Sequence, residues 1–245
     1  MSTLTFYDAW VYYGRPEFGR EHTLQTLLAA MERENISRAV AVAYEQLYAP
    51  PDTANDRAFE TAASVQELYA LAVMTPTCTG EADEPERLIG PKTAGFLLCP
   101  EGLQIPKRPI FLKEWFAYAE QRRVPVWYEF QSNADYEYAA DILAAFPRLT
   151  MVLFHDENWP NARKCWPLFQ QYPNLYAGTS DLIWLGGIEA FVGRLGHERL
   201  LYSSRYPAKY YGSSKLSLLH ADISHDAKTD IAAGNFKRLL GGIKR

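Results

Sequence analysis

Eight short runs of apolar, β-branched and aromatic residues recur along the chain, at residues 4–13, 39–44, 68–75, 93–99, 124–130, 149–155, 175–179 and 200–204. Each is bounded by Pro, Gly, Asn or charge, and they predict strands. Between them the period lengthens. Leu24, Leu27, Leu28 and Met31 fall at i, i+3, i+4 and i+7, one face of a helix. Residues 111–122, 135–146 and 188–195 repeat this less regularly. Residues 224–240 open at Ser224, an N-cap residue type, and set Ala227, Ile231 and Leu239 on one side. Eight strands alternating with helices predict an α/β fold, a (β/α)8 TIM barrel, with residues 1–245 as one domain. A doubly wound sheet gives the same alternation with fewer strands and usually carries a Gly-rich turn after its first strand. Here that turn reads Tyr13-Gly14-Arg15-Pro16, and the barrel is the preferred reading.

Composition narrows the function classes. The 245 residues are 48% hydrophobic, and 25 Lys and Arg stand against 29 Asp and Glu, a net charge of −4. With no basic cluster to neutralise phosphates, a nucleic-acid partner is not expected. No run approaches the roughly 20 apolar residues of a membrane span, and the first residues lack a basic-then-apolar leader. Cys78, Cys99 and Cys165 are odd in number and widely spaced, so neither a disulfide framework nor a Cys-x-x-Cys metal pair is expected. Reduced thiols in a cytoplasmic protein are the expectation. A homodimer is expected only because most soluble oligomers are symmetric.

Several strand ends carry specific segments. The first strand reads Phe6-Tyr7-Asp8-Ala9-Trp10-Val11-Tyr12, and Glu34-Asn35-Ile36-Ser37-Arg38-Ala39-Val40 leads into the second. Asn55-Asp56 precedes the third, and Phe146-Pro147-Arg148-Leu149 leads to a sixth that ends at His155. Asn174-Leu175-Tyr176-Ala177-Gly178, then Arg199 through Pro207, then Ala233-Gly234-Asn235-Phe236 complete the series. In order and spacing these segments, running nearly end to end, resemble the amidohydrolase superfamily, in particular the amidohydrolase-related (amidohydrolase 2) branch of barrel hydrolases and decarboxylases.

The resemblance implies a metal-dependent-hydrolase-like barrel. It also implies one or two divalent ions held by two His of strand one, a His ending strand five, a His ending strand six and an Asp ending strand eight. On this chain those positions are Trp10 and Tyr12, then Glu129, His155 and Arg205. Residues two apart on a strand share a face, which places Trp10 and Tyr12 together. A metal needs several deprotonated N, O or S donors converging on one point. Only His155, Glu129 and Asp8 could contribute, beside a permanently charged Arg. A degenerate metal site, with no metal and no other cofactor, is therefore expected.

Active sites of such barrels lie at the C-terminal ends of the strands. Three functional readings follow. In the first, a pseudoenzyme pocket binds a small anionic or planar ligand, with Trp10, Tyr12, Trp127 and Tyr206 as an aromatic lining and Asp8, Asp156 and Lys209 as polar contacts. In the second, a metal-free, lactonase-like hydrolase uses His155 and Glu129 as acid or base, with Arg205 orienting a carboxylate or oxyanion. The third, an ordinary metal-dependent hydrolase or decarboxylase, rests on fold alone. Each residue also has a plain structural account. Trp10 and Tyr12 could pack the barrel interior, Glu129 and Arg205 could form a structural ion pair, and His155 could be a satisfied strand-end His. Asp156, Glu157 and Asn158 read as an exposed turn, and His22, His197, His220 and His225 as surface residues.

Overall fold

The computed structural model describes residues 4–76, 85–155 and 159–245, of which 159–162 by backbone only. Eight strands pair in sequence order, all parallel: β1 (Phe6–Tyr13), β2 (Ile36–Ala43), β3 (Leu68–Val73), β4 (Thr93–Leu98), β5 (Val126–Glu129), β6 (Met151–Phe154), β7 (Leu175–Gly178) and β8 (Leu200–Leu201). The ring is completed between the last strand and the first. Ala9 N donates to Tyr202 O, Tyr12 N to Tyr206 O and Arg205 N to Trp10 O, at 2.7–3.0 Å. The result is a TIM barrel.

Helices α1 (Leu24–Arg33) and α2 (Pro51–Ser64) follow β1 and β2, and α3 (Lys113–Arg122), α4 (Ala134–Ala145), α5 (Trp159–Gln171), α6 (Gly187–Leu195) and α7 (Tyr211–His220) follow β4 to β8, while a 3-10 turn at Pro85–Leu88 is what the described residues show between β3 and β4. The tail breaks into α8 (His225–Thr229), a π-turn over Asp230–Gly234, and α9 (Asn235–Gly241). The spacing at Leu24, Leu27, Leu28 and Met31 forms the packed stripe of α1, capped by Thr23 Oγ1 accepting from Thr26 N at 3.2 Å. Ser224 caps α8 in the same way, accepting from Ala227 N.

Three helices escaped the periodicity. The buried positions of α2 are Ala54, Asn55, Ala58 and Ala62, too small and too polar to register as an apolar stripe. In α5 a proline, Pro167, interrupts the pattern, and α7 buries Ser214 while exposing Leu216 and Leu219. Strand β2 begins at Ile36 rather than at 39. Residues 109–112 form a 3-10 turn ahead of α3.

Polar side chains tie the strand ends together. Gln46 accepts from Ala43 N and donates to Leu71 O, while Asn55 Oδ1 accepts from Val73 N, which fastens α2 to the ends of β2 and β3. At the other side of the ring Ser203 Oγ accepts from Ser180 N and donates to Ser180 Oγ at 2.8 Å. The barrel interior is filled by Trp10, Trp127 and Phe154, with the Trp127 and Phe154 rings stacked at 6.2 Å. Gly178 is needed where β7 passes this cluster, because a Cβ there would meet both Ser203 Oγ and the Phe154 ring. Gly178→Ala should therefore destabilise the barrel by ~1–3 kcal/mol through overpacking, read as a lowered urea midpoint with an unchanged slope.

Candidate functional site

The C-terminal mouth of the barrel is organised around one buried cation. Arg205 follows β8, with its amide held by Trp10 O at 3.0 Å and its backbone in the left-handed region, φ 56°. For a non-Gly residue that conformation is costly and persists only where neighbours fix it. The guanidinium makes a close ion pair through Nη2 with Oε1 of Glu129, the last residue of β5. Both side chains are only 11% exposed, so this pair is largely removed from water. The other Glu129 oxygen accepts from the Tyr12 hydroxyl at 2.6 Å. Tyr12 in turn stacks flat on Tyr44, ring centroids 4.9 Å apart, and burial pushes its phenol up to about 12.

A second carboxylate faces the same cation. Asp181, fully buried in the turn after β7, has Oδ1 3.9 Å from Arg205 Nη1, and its Oδ2 accepts from His155 N at 3.1 Å. Tyr12, Glu129 and Arg205, singled out from the sequence, thus share one polar seam spanning β1, β5 and β8, and His155 joins it at the end of β6 through its main-chain N–H on Asp181. Asp181 completes it and was not anticipated. Its signal was modest: an acidic residue within Thr179-Ser180-Asp181, just past the point where the strand run ends.

Asp8 lies deeper, at the seam between β1 and β8. Its Oδ1 accepts from Trp10 N and Ser204 N, both at 3.0 Å, and Ser204 Oγ donates to Oδ2 at 2.5 Å. Burial pushes the Asp8 carboxyl up to about 7, against the opposing pull of these hydrogen bonds. This carboxyl is a fastener of the closing strands.

Beside the ion pair lies a cavity of about 380 Å³ between the ends of β4 and β5 and the turn after β2. Trp10, Leu47, Leu97 and Leu98 form its apolar walls, and Cys99, Glu101, Glu129 and Gln131 its polar groups. Trp10 is fully buried, with its ring against that of Tyr12 and no accessible surface at its indole N–H. Trp127 packs beneath, donating from Nε1 to Ala94 O at 3.3 Å, and Tyr206 stacks on Tyr211. Lys209 Nζ donates to Ser180 O at 3.1 Å. Asp156, with Glu157, Asn158 and Cys78, lies outside the described residues. Of the remaining histidines, His22 and His197 are half-buried rather than on the surface, and His197 Nε2 sits 3.1 Å from Asp230 Oδ2.

Glu101 is braced from behind. Lys107 bridges it to Asp135, whose Oδ1 lies 2.6 Å from Lys107 Nζ and whose Oδ2 accepts from Gln131 N and Ser132 N. Tyr128 donates to the same Asp135 carboxylate. Against the upward push of burial, Lys107, Tyr128 and the two amides hold Asp135 below the usual carboxylate range. Among the described residues no three His, Cys, Asp or Glu side chains group as a metal site.

The barrel is similar in fold to solved structures of decarboxylases and amidohydrolases. The chain is similar in fold to 5-carboxyvanillate decarboxylase from Sphingomonas paucimobilis, with TM-score 0.77 and 15% identity over 98% of this chain and 99% of that one. It is likewise similar to 2,6-dihydroxybenzoate decarboxylase complexed with 2,6-dihydroxybenzoate, with TM-score 0.76 and 16% identity over 98% and 100% of the two chains. An amidohydrolase 2 from Bifidobacterium longum subsp. infantis gives TM-score 0.69 and 14% identity over 98% and 99%. No family model and no curated protein matches the chain. Among the described residues no helix is long and apolar enough to cross a membrane.

Two stability experiments follow from this geometry. The folded chain holds the Asp8 proton to about pH 7, whereas the unfolded chain releases it near 3.8. Stability should therefore fall as pH rises from about 4 to 7, by up to about 4 kcal/mol, and Asp8→Asn should flatten that slope in urea titrations at several pH values. Arg205→Met should cost about 3–5 kcal/mol by stranding a buried carboxylate, and Arg205→Met combined with Glu129→Gln should recover part of the loss.

Proposed function

We propose that the barrel mouth binds a small planar molecule and does so without a divalent metal. The observation that carries this reading is the guanidinium of Arg205 seated on Glu129, at the place where the amidohydrolase resemblance would put metal ligands. A divalent ion does not fit these donors. Both Glu129 oxygens are engaged, by Arg205 and Tyr12, and Asp8 is spent on Ser204 and two amides. A permanent positive charge beside them would repel a second cation, and Trp10 offers no lone pair for coordination.

The adjoining cavity suits a ligand of one aromatic ring. Its volume lies in the range of small-ligand pockets, about 300–1,000 Å³, and its apolar lining is Trp10 and three leucines. The dihydroxybenzoate decarboxylase of similar fold is complexed with a planar ligand of that size. The binding reading is preferred to a hydrolytic one because Glu129 already accepts from Arg205 and Tyr12. A carboxylate so neutralised is a weak proton acceptor.

Elemental analysis of the purified protein, with a thermal-shift screen of zinc, manganese and single-ring aromatics, tests the reading. The expected result is substoichiometric metal, no rise in Tm with either ion, and a dose-dependent rise with a planar aromatic. Stoichiometric metal that survives dialysis and raises Tm would overturn it.

A further inference from the structure

We propose that the N-terminal end of the barrel, opposite the mouth, binds a small phosphate-bearing anion. A cavity of about 560 Å³ lies there between the end of α3, the residues that lead into β6 and β7, and the segment after α9. Arg123, Arg148 and Lys244 line it against a single carboxylate, Glu120, in a chain whose net charge is −4. That carboxylate is spent. Its Oε1 accepts from Arg148 N at 2.9 Å and its Oε2 from Arg148 Nη2 at 3.3 Å, and the Glu120 side chain is only 14% exposed. Most of the Arg148 guanidinium stays in water.

Cations gather at this end of the barrel for an ordinary reason, since helix C-termini leave carbonyls that Lys and Arg satisfy. Lys92 donates to Val65 O, Gln66 O and Leu68 O beyond α2, Arg199 to Phe169 O and Tyr172 O at the end of α5, and Lys215 to Glu34 O past α1. Arg123 and Lys244 depart from this. Main-chain groups already close α3, because the amides of Arg123 and Val124 donate to Ala119 O and that of Lys244 to Arg122 O. Among the described residues neither side chain has a hydrogen-bond or ion-pair partner. Arg123 also stands in the left-handed region, φ 56°, where glycine is the usual residue after a helix. A side chain is kept there at a cost in backbone strain.

A phosphoryl group fits these donors. Its oxygens spread in several directions, so it can meet guanidinium, ammonium and the Thr150 hydroxyl from separate elements at once, which a flat carboxylate does less well. The cavity leaves room beyond one phosphate, which points to a diphosphate or a phosphate ester. An extended nucleic acid is disfavoured by the negative charge of the chain as a whole.

Calorimetric titration of the full chain with sodium pyrophosphate in low salt tests the proposal. Saturable binding is expected, several-fold tighter than for tricarballylate, a tricarboxylate of comparable charge. Arg123→Gly and Lys244→Gln should each weaken it about tenfold. Lys113→Gln, an equal charge change at the far end of α3, should alter it less than about twofold. Because glycine suits a left-handed backbone, Arg123→Gly should hold or raise Tm, which separates lost binding from lost folding. Absent binding, equally tight tricarballylate binding, binding that Arg123→Gly and Lys244→Gln leave intact, or an equal loss from Lys113→Gln each overturns the proposal.

Discussion

Burying a guanidinium is costly, and a folded chain tolerates it only where carboxylates and hydrogen bonds surround the charge. At the mouth of this barrel that requirement recruits residues from three other strand ends. Glu129 comes from β5, Asp181 from the turn after β7, and Tyr12 from β1, and each is oriented with respect to Arg205 or to the carboxylate that holds it. The strained backbone at Arg205 is secured by a hydrogen bond to Trp10, so the cation is placed by the same contacts that close the ring. Charge balance and barrel closure are one constraint here. A residue that replaced Arg205 would have to satisfy both.

The same constraint separates two tasks that a metal centre would combine. In a metal-dependent barrel the ion both gathers the side chains and meets the ligand. On the reading proposed above, the gathering is done by Arg205, which is occupied by protein carboxylates, while the cavity proposed for a ligand lies to one side between β4 and β5. Glu129 belongs to both arrangements, with one face toward the guanidinium and one toward the cavity. The brace of Lys107, Asp135 and Tyr128 gives Glu101 a comparable fixed position on the opposite rim. A pocket built this way is preorganised, because its polar groups are held by ion pairs made without the ligand.

The parallel barrel was legible in the sequence because buried parallel strands read as apolar runs, and all eight runs became strands. Helices were harder. Those that bury leucines and methionine, such as α1, carried a clear period, whereas α2 packs through alanines and one buried asparagine and carried almost none. Among site residues, Glu129, His155 and Arg205 could be picked out because a strand run ends at or beside each and their spacing resembled a known pattern. Asp181 and Glu101 could not, since they sit in turns where acidic residues are common and only the folded geometry shows them facing a cation. Trp127 and Tyr206 illustrate the converse. Aromatic identity marked them, but their rings pack on Phe154 and Tyr211, away from the cavity.

The hydrogen bonds between Asp8 and Ser204 join residues 196 positions apart. On a ribosome, β1 emerges well before its final neighbour β8. Until β8 follows, the nascent sheet keeps one open edge, the kind of surface that pairs with other chains. Contacts this distant in sequence also slow folding. The fastener that makes the finished barrel secure is therefore what leaves the growing chain in need of protection until its last strand is out.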